Sequence, residues 1–381
     1  MTGGGTGGHI TPLLSLAQEL KAQSPDCQII YIGHKGDQFD TFQQSSHDFD
    51  FTAFINAGKL RRYGTLRFSG LLHPDIFAKN FVDLMRLPGS ILVSLKLLRK
   101  FRPGAVFSKG GFVALPVALA AKLLHIPIIT HDSDTVPGLA NRIVGRWAKA
   151  HATGMPVEYY PYPKSSTYYV GIPIDARIKK VTPKLHKAAK AQLGLPAEST
   201  ALLISGGSSG SVQLNDLTTQ IAAELLETNL SLYILHLTGR RHEAAVKAAY
   251  KKLPAHDKER IVIMGYSQDF HALTAAADLV VTRAGATTIA ELAAAGKAAI
   301  IVPSPHLAGG HQLKNSQALA DIDAAVIAPP NVQPDELLAL INGLLNDDGR
   351  RFELARNLFG TAKKNASKDL ASLILKFATN R

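Results

Sequence analysis

Short β-branched runs alternate with helix-length amphipathic segments along most of the 381-residue chain, and this alternation limits the possible folds more than any other feature. Strands separated by helices pair in parallel, because each helix returns the chain to the same edge of the sheet. The pattern therefore predicts an α/β protein built from doubly wound parallel sheets. The predicted strands are residues 28–32, 105–108, 126–130, 201–205, 231–237, 261–264, 278–282 and 298–302.

The chain is longer than one hydrophobic core usually supports, so two domains are expected. A stretch rich in Pro, Tyr and Ser, residues 155–175, separates two series of strand–helix units. We expect an N-terminal domain over 1–165, a C-terminal domain over 166–350, and C-terminal helices over 351–381 that pack back on the first domain. The single cysteine, Cys27, excludes an intramolecular disulfide, and the longest apolar stretch, 116–129, is too short to span a membrane.

Five glycines lie within the first eight residues, and a second glycine-rich run begins at Ser205. Glycines in a strand-to-helix turn permit positive φ, and amides at the start of a helix attract a diphosphate. Gly3, Gly5 and Gly8 satisfy G-x-G-x-x-G, but the next strand ends without the acidic residue typical of a dinucleotide site, and the Gly-Lys-Ser/Thr of a Walker A loop is missing. The run therefore indicates a phosphate-binding turn of another kind.

Only Met1 and Thr2 precede the first glycine turn, although such a turn normally leaves the carboxyl end of a strand of about 5 or 6 residues. This predicts that the given start is misplaced or truncated. A native chain that begins upstream with an apolar, β-branched run is the corresponding expectation.

Basic residues are concentrated between Lys59 and Lys109. This segment contains eleven Lys and Arg and two Asp, so it accounts for +9 of the net charge of +12. A local excess of this size predicts an anionic partner. Residues 90–101 place Ile91, Leu95 and Leu98 on one helical face with lysines opposite, after a helix break at Pro88 and Gly89. The stripe is consistent with ordinary packing or with an anionic membrane surface. Nucleic acid is not expected, because a recognition motif and interleaved stacking aromatics are missing.

The segment 282–319 is the most informative stretch for function. A strand ends at Arg283, a helix starts at Gly285, and Glu291 follows Thr288 by three residues, on the same face. A Thr and a Glu at this spacing fit a capping box, which needs no ligand, or a binding site at the start of the helix. The residues alone leave both interpretations open.

Six motifs in order, spread over nearly the whole length, carry a family resemblance: GGGTGGH (3–9), GKLRRY (58–63), residues 107–143, GGSSGS (206–211), residues 277–291 and GHQLKNS (310–316). The chain resembles the MurG family of GT-B glycosyltransferases. The resemblance implies two Rossmann-like domains facing a cleft, and inverting transfer of N-acetylglucosamine from UDP-GlcNAc to the C4 hydroxyl of undecaprenyl-pyrophosphoryl-MurNAc-pentapeptide. It also implies a peripheral enzyme on the cytoplasmic side of the cell membrane.

The resemblance assigns residues of the C-terminal half to the donor. Arg283 and the helix start hold the diphosphate, Glu291 accepts hydrogen bonds from the ribose hydroxyls, and Gln312 lies near the sugar. No metal or other cofactor is expected, because Arg283 and the helix start can stabilise the departing diphosphate. The remaining predicted donor residues are Ser208, Ser267, Ala286, Thr287, Thr288, Ile289 and Ala290.

In the N-terminal half the resemblance places Thr6, Gly7, Gly8 and Asn141 along the cleft, Asp134 near the transferred sugar and His9 beside the acceptor. His9 is the first candidate for the general base, because an imidazole titrates near the operating pH. Asp132 is the second. Lys109, Gly110 and Gly111 form a further anion-receptive turn, suited to the acceptor's diphosphate.

One departure from the family pattern concerns the donor. The family shows G-x-P-V-R after the interdomain turn, whereas this chain has GIPID with Asp175, and whether Arg177 replaces the missing arginine stays open. The alternative functions are a glycolipid synthase that uses a UDP-sugar and a diacylglycerol-type acceptor, a UDP-sugar epimerase of the same fold, and a non-catalytic membrane scaffold.

Overall fold

The computed structural model describes residues 1–4, 7–34, 48–58, 74–305 and 310–378, without the side chains of residues 7–11 and 74–79. The chain divides into two compact units. The first contains Met1–Ile174, His306–His311 and Lys363–Arg381, and the second contains Asp175–Pro305 and Gln312–Ala362. The division lies beyond residue 165, because the strand Thr167–Tyr169 pairs with the strand Ala150–Thr153 of the first unit.

The first unit is built on parallel strands. Thr2 forms bridges with Ile32 on one side and Ser108 on the other, so the first residues lie between β1 and β3. The pairing order on either side of Thr2 is β1–β2 and β3–β4–β5–β6. The strands are β1 (Ile30–His34), β2 (Phe51–Ile55), β3 (Val106–Ser108), β4 (Ile128–Asp132), β5 (Ala150–Thr153) and β6 (Thr167–Tyr169).

Helices cover this sheet and bury its apolar residues. The helix α1 begins within the first glycine run, and its Leu13 and Leu16 are fully buried together with Phe107 and Ile129 of the sheet. The C-terminal helix belongs to this unit, where its Leu370 and Ile374 join the same cluster. The helices of the first unit up to residue 144 are α1 (Gly7–Gln23), α2 (Pro74–Phe101), α3 (Ala114–Leu123) and α4 (Leu139–Val144).

The helix α2 runs without interruption through Pro88, so the predicted break at Pro88 and Gly89 is wrong. A proline inside a helix removes one backbone hydrogen bond, and packing can compensate for that loss. The Ser90 hydroxyl lies 2.9 Å from the carbonyl oxygens of both Arg86 and Asn56, which ties this part of the helix to the end of β2. Among the described helices, none is both long and apolar enough to cross a membrane.

The second unit has a six-stranded parallel sheet in the order β12–β11–β10–β7–β8–β9. Alternate residues of β7 belong to different clusters, since Leu202 and Ile204 pack on one face and Leu203 on the other, as expected for a sheet covered by helices on both faces. The strands are β7 (Thr200–Ser205), β8 (Leu232–Leu237), β9 (Ile261–Met264), β10 (Leu279–Thr282), β11 (Ala299–Ile301) and β12 (Val326–Ile327).

The helices of the second unit connect these strands, and one further helix closes the chain in the first unit. All eight strands predicted from the sequence are present within two residues of the predicted ends. The helices are α5 (Pro183–Gln192), α6 (Val212–Thr228), α7 (Glu243–Tyr250), α8 (Ala255–Lys258), α9 (Phe270–Ala276), α10 (Ala286–Ala295), α11 (His311–Ala320), α12 (Pro334–Leu345), α13 (Asp348–Gly360) and α14 (Ala366–Phe377).

A partly buried ion pair, between a buried lysine and a half-buried aspartate, lies at the amino end of β10. Asp278 lies 3.0 Å from the buried Lys190 ammonium and 3.2 Å from His186, and it accepts a hydrogen bond from Ala201 N at 2.8 Å. Burial alone would raise the pKa of Asp278, but the three donors outweigh it and lower the pKa to about 2. The ionised form therefore stabilises the fold above the unfolded-state pKa of about 3.9, and this contribution is lost as the pH falls towards 2.

We expect Asp278→Asn to destabilise the protein by about 3 kcal/mol or more at pH 7, because Lys190 is left buried without its counter-charge. Thermal unfolding between pH 2 and 7 measures this, with the exposed Glu259→Gln as the matched control. Equal melting temperatures for the two variants would show that the pair is not stabilising.

Candidate active site

Two loops that follow neighbouring strands lie side by side in the second unit. The glycine segment 206–210 follows β7, Arg283 follows β10, and the strand register pairs Ser205 with Thr282. Ligands of open α/β sheets bind at the carboxyl ends of the strands, which is where both loops lie. The structure therefore brings together the glycine turn and the helix start that the sequence predicts for the donor.

The glycine segment has a backbone that other residues would strain. Gly207 and Gly210 have φ of 81° and 74°. A Cβ atom at Gly210 would lie 2.0 Å from the carbonyl oxygen of Thr238, so the close approach of the two segments requires glycine. Ser208 is half-buried within this turn. The hydroxyl of Ser211 accepts a hydrogen bond from Leu214 N and caps α6.

The start of α10 decides between the two interpretations of Thr288 and Glu291. The N-cap residue is Gly285, and no side chain caps the helix. A capping box needs a Ser or Thr at the N-cap and a Glu or Gln three residues later, so Thr288 and Glu291 cannot form one for this helix. The capping-box interpretation is wrong, and Glu291 has no structural role at the helix end.

Glu291 is a buried carboxyl group that lacks a hydrogen-bond donor. Its side chain is 9% exposed, and among the described residues no group donates a hydrogen bond to it. Burial, and then the negative charge of Asp175, raise the pKa of Glu291 to about 8. A carboxyl group that is largely removed from water without a protein donor is typical of a binding position, and its contact with the ribose stays a prediction.

Arg283 and Gln312 are held by neighbouring groups of the second unit. The Arg283 guanidinium donates from one nitrogen, Nη1, to Gln213 and to the carbonyl of Val302, both at 3.1 Å, and burial lowers its pKa. Gln312 is buried, and its side-chain oxygen accepts a hydrogen bond from Ser304 N at 2.9 Å. Both side chains are thus oriented before any ligand binds, while their diphosphate and sugar contacts stay predictions.

Arg177 forms a forked ion pair with Asp175. Its Nε and Nη2 donate to the Asp175 carboxylate at 2.7–3.1 Å, and Nη2 also donates to the carbonyl of Gln268 at 3.1 Å. The hydrogen bonds from Arg177 lower the pKa of Asp175 against the opposing effect of burial. Arg177 therefore reaches the loop that contains Ser267, but in this structure it pairs with Asp175 and, at 3.4 Å, with Asp269. Whether it replaces the arginine of the family pattern stays a prediction.

In the first unit, the carboxyl ends of β3 and β4 carry a buried polar network centred on Asp132. Its carboxylate accepts hydrogen bonds from Tyr162 at 2.8 Å, Asn141 at 3.0 Å and Gly138 N at 3.3 Å. Burial raises the pKa of Asp132, while Asn141 and Tyr162 oppose the shift. Asn141 also accepts from Ser108 at 2.9 Å, so it connects the two strand ends.

The glycines of the first unit also allow close backbone contacts. A Cβ atom at Gly3 would lie 2.9 Å from Cβ of Lys109, and one at Gly111 would lie 2.6 Å from the carbonyl oxygen of Gly4. The first glycine run therefore packs directly on the turn that contains Gly110 and Gly111. Thr6 lies outside the described residues, and so do the side chains of His9 and the rest of 7–11, so their predicted roles stay predictions.

Two protein-family models match most of this chain. The model of the glycosyltransferase family 28 N-terminal domain matches residues 1–153, and that of the C-terminal domain matches residues 201–373. A protein of Syntrophotalea carbinolica is 31% identical over 385 residues, covering 100% of this chain and 98% of its own length. The chain belongs to the MurG group of glycosyltransferase family 28. That relative is named UDP-N-acetylglucosamine–N-acetylmuramyl-(pentapeptide) pyrophosphoryl-undecaprenol N-acetylglucosamine transferase.

Solved structures agree with this membership. The crystal structure of Acinetobacter baumannii MurG superposes with a TM-score of 0.71 at 27% identity, covering 99% of this chain and 98% of that one. A UDP-N-acetylglucosamine 2-epimerase has a TM-score of 0.67 at 14% identity, covering 99% and 96%. That likeness reflects the shared fold alone. The predicted GT-B class, with two parallel-sheet units, is confirmed for this MurG-group protein.

Sequence reasoning missed two participants in the first-unit network of this MurG-group chain. His131 is fully buried, and its Nε2 lies 2.8 Å from the carbonyl oxygen of Gly171. Tyr162 donates to Asp132 and stacks on His151 at 4.0 Å between ring centroids. The strand register pairs Ser108 with Thr130, which places the residues after them side by side. That register is the signal that could have identified His131.

Proposed function

We propose that the protein transfers N-acetylglucosamine from UDP-GlcNAc to the C4 hydroxyl of undecaprenyl-pyrophosphoryl-MurNAc-pentapeptide. The observation that carries the proposal is full-length similarity to proteins named for this reaction. Glu291, in the middle of α10, supports it, because its carboxyl group has no hydrogen-bond donor among the described residues and a ribose offers two hydroxyl donors to one carboxylate. The product is the disaccharide-bearing lipid used in peptidoglycan synthesis.

The proposed reaction is a direct displacement at the anomeric carbon. The acceptor hydroxyl oxygen forms a bond to that carbon as the bond to the UDP oxygen breaks, so the configuration inverts. A general base, His9 or Asp132, takes the hydroxyl proton, and UDP leaves with the electron pair. Arg283 and the amide groups at the start of α10 stabilise the charge that develops on the diphosphate.

A panel of donors and acceptors tests this function. Purified protein is incubated with radiolabelled UDP-GlcNAc or UDP-glucose, and with lipid-linked MurNAc-pentapeptide or diacylglycerol in mixed micelles. We expect label in lipid only for UDP-GlcNAc with the muramyl lipid. Transfer of glucose to diacylglycerol would instead identify a glycolipid synthase. Both donors are compared because this chain has Asp175 where the family pattern has an arginine expected to contact the donor.

We propose that the protein binds peripherally to the cytoplasmic face of an anionic membrane, with α2 as the contacting helix. Leu95 and Leu98 of the predicted apolar stripe pack in the core, so that stripe is not a membrane surface. Other apolar side chains on α2 are exposed instead, among them Met85 at 63% and Leu92 at 60%. Leu92 shares its side of the helix with basic residues, because Lys96 and Arg99 follow it by four and seven positions.

We expect replacement of Lys96, Arg99, Lys100 and Arg102 by Gln to release the protein from anionic vesicles. Each basic residue near such a surface contributes about 1 kcal/mol, and salt screens this attraction. Co-sedimentation with vesicles of phosphatidylglycerol and phosphatidylcholine at several ionic strengths measures it. The control replaces four exposed lysines of the second unit, Lys184, Lys187, Lys251 and Lys252.

Binding that resists both salt and these substitutions would assign the attachment to the exposed apolar residues of α2. Loss of binding on replacing Met85 and Leu92 by Ser would then follow. If the wild-type protein stays in the supernatant at low salt, the membrane proposal is wrong.

A further inference from the structure

Lys109 is a lysine buried at the end of β3. Its side chain is 4% exposed, and its stem packs against the first glycine run, since a Cβ atom at Gly3 would approach Cβ of Lys109 to 2.9 Å. Burial lowers the pKa of Lys109 to about 8, while Asp132 and Asp134 oppose the shift. An ammonium group is seldom buried unless its hydrogen bonds are satisfied, so its partners indicate its role.

The Lys109 ammonium binds two side chains of the neighbouring strand end. Nζ lies 2.8 Å from Nδ1 of His131 and 2.5 Å from Oγ of Ser133. On the other side of the ring, His131 Nε2 lies 2.8 Å from the carbonyl oxygen of Gly171, which can only accept a hydrogen bond. Nε2 therefore carries the proton, and Nδ1 is the acceptor for Lys109.

These contacts hold both neighbours of Asp132. His131 precedes Asp132 and Ser133 follows it, so one ammonium group holds the side chains on either side of the carboxylate. The Lys109 charge also acts on Asp132 directly, because it opposes the rise in the pKa of Asp132 that burial causes. The other titratable or charged groups around this carboxylate and its tyrosine partners are Tyr160, Tyr162, Asp134, His131, His151 and Arg142.

We propose that Lys109 is a positioning residue for the transfer reaction, which holds the segment 131–134 around Asp132, rather than a ligand of the acceptor's diphosphate. The inference rests on the proposed function. It differs from the expectation drawn from the Lys-Gly-Gly turn, because the ammonium points to His131 and Ser133 inside the unit. Misplacement of a reacting group by about 1 Å can cost a hundredfold in rate, so a positioning role has a measurable size.

The test compares Lys109→Met with the wild-type protein and with Lys149→Met, which removes an exposed lysine that precedes β5. We expect Lys109→Met to lower kcat by about ten- to a hundredfold with the KM values for both substrates nearly unchanged. The proposal takes Asp132 as the group that must be ionised, so the acid limb of the kcat/KM profile should move to higher pH when the positive charge that lowers the pKa of Asp132 is lost. Ser133→Ala should show a smaller shift in the same direction.

Circular dichroism and thermal unfolding of each variant report whether the first unit, which contains Lys109, is folded, and they keep the test valid if Lys109→Met is less stable. A raised KM for the lipid acceptor with an unmoved acid limb would overturn the proposal and make Lys109 a diphosphate ligand. Wild-type kinetics in Lys109→Met would also overturn it. Inactive wild-type protein would instead count against the proposed function.

Discussion

Glu291→Ala is expected to raise the KM for UDP-GlcNAc more than tenfold and to leave the fold intact. The carboxyl group is buried and has no hydrogen-bond donor among the described residues, so the ribose hydroxyls are its expected partners. Loss of a charged acceptor costs about 1.5–3 kcal/mol in binding, which corresponds to tenfold or more in affinity. Steady-state kinetics with varied donor, together with thermal unfolding, measure both effects.

The raised pKa of Glu291 predicts that binding of the donor is coupled to the release of a proton. With a pKa of about 8, the unliganded group is mostly protonated at pH 7, and binding to the ionised carboxylate releases that proton. Affinity for UDP should therefore rise with pH up to about 8. Calorimetry in two buffers of different ionisation enthalpy detects the release, and Glu291→Gln should abolish it. Unchanged donor kinetics in Glu291→Ala would exclude the residue from the nucleotide site.

The same shift has a consequence for stability. Between the ordinary glutamate pKa of about 4.3 and a pKa of about 8, the folded protein holds a proton at Glu291 that the unfolded chain has lost. The contribution of Glu291 to stability therefore falls as the pH rises through this range. This cost is typical of a residue kept for binding rather than for folding.

His9→Ala is expected to lower kcat by about a hundredfold or more with little change in UDP affinity, because a general base acts only in the transition state. Rate assays run beside calorimetric titration with UDP separate the two effects. The comparison variant is Asp132→Asn, which keeps the size of a side chain that accepts three hydrogen bonds.

The pair of variants also identifies the base. If His9→Ala loses donor binding together with rate, His9 is a structural or phosphate-site residue and Asp132 becomes the candidate. If Asp132→Asn keeps the wild-type rate, the buried network supports structure alone. A hundredfold loss in both variants at unchanged UDP affinity would place both groups in the acceptor chemistry.

The strand pattern predicted the fold because buried parallel strands are nearly continuous apolar runs, such as ALLIS at the end of β7. It missed β2, β5, β6 and β12 for a physical reason. β5 reads Ala-His-Ala-Thr and is fully buried, so its strand conformation comes from its neighbours in the sheet and not from its own propensity. The helix α2 is a similar case. It continues through Pro88 because packing and the contacts of the Ser90 hydroxyl outweigh the tendency of proline to break a helix.

The roles of individual site residues were harder to predict from the sequence than the fold. Spacing placed Thr288 and Glu291 on one face of a helix, but only the position of the N-cap at Gly285 excluded the capping box. The Lys-Gly-Gly pattern predicts an anion site at Lys109, and that stays a prediction. The contacts of Lys109 with His131 and Ser133 depend on the register of two parallel strands, which the sequence does not specify residue by residue.

The central claim is tested most directly by the stoichiometry of one reaction. Purified protein is incubated with radiolabelled UDP-GlcNAc and lipid-linked MurNAc-pentapeptide, and the UDP released and the label in extracted lipid are measured in the same sample. We expect equal amounts of the two products, with the new sugar in the inverted, β configuration. UDP release without labelled lipid, or conversion of the donor into another UDP-sugar, would contradict the account.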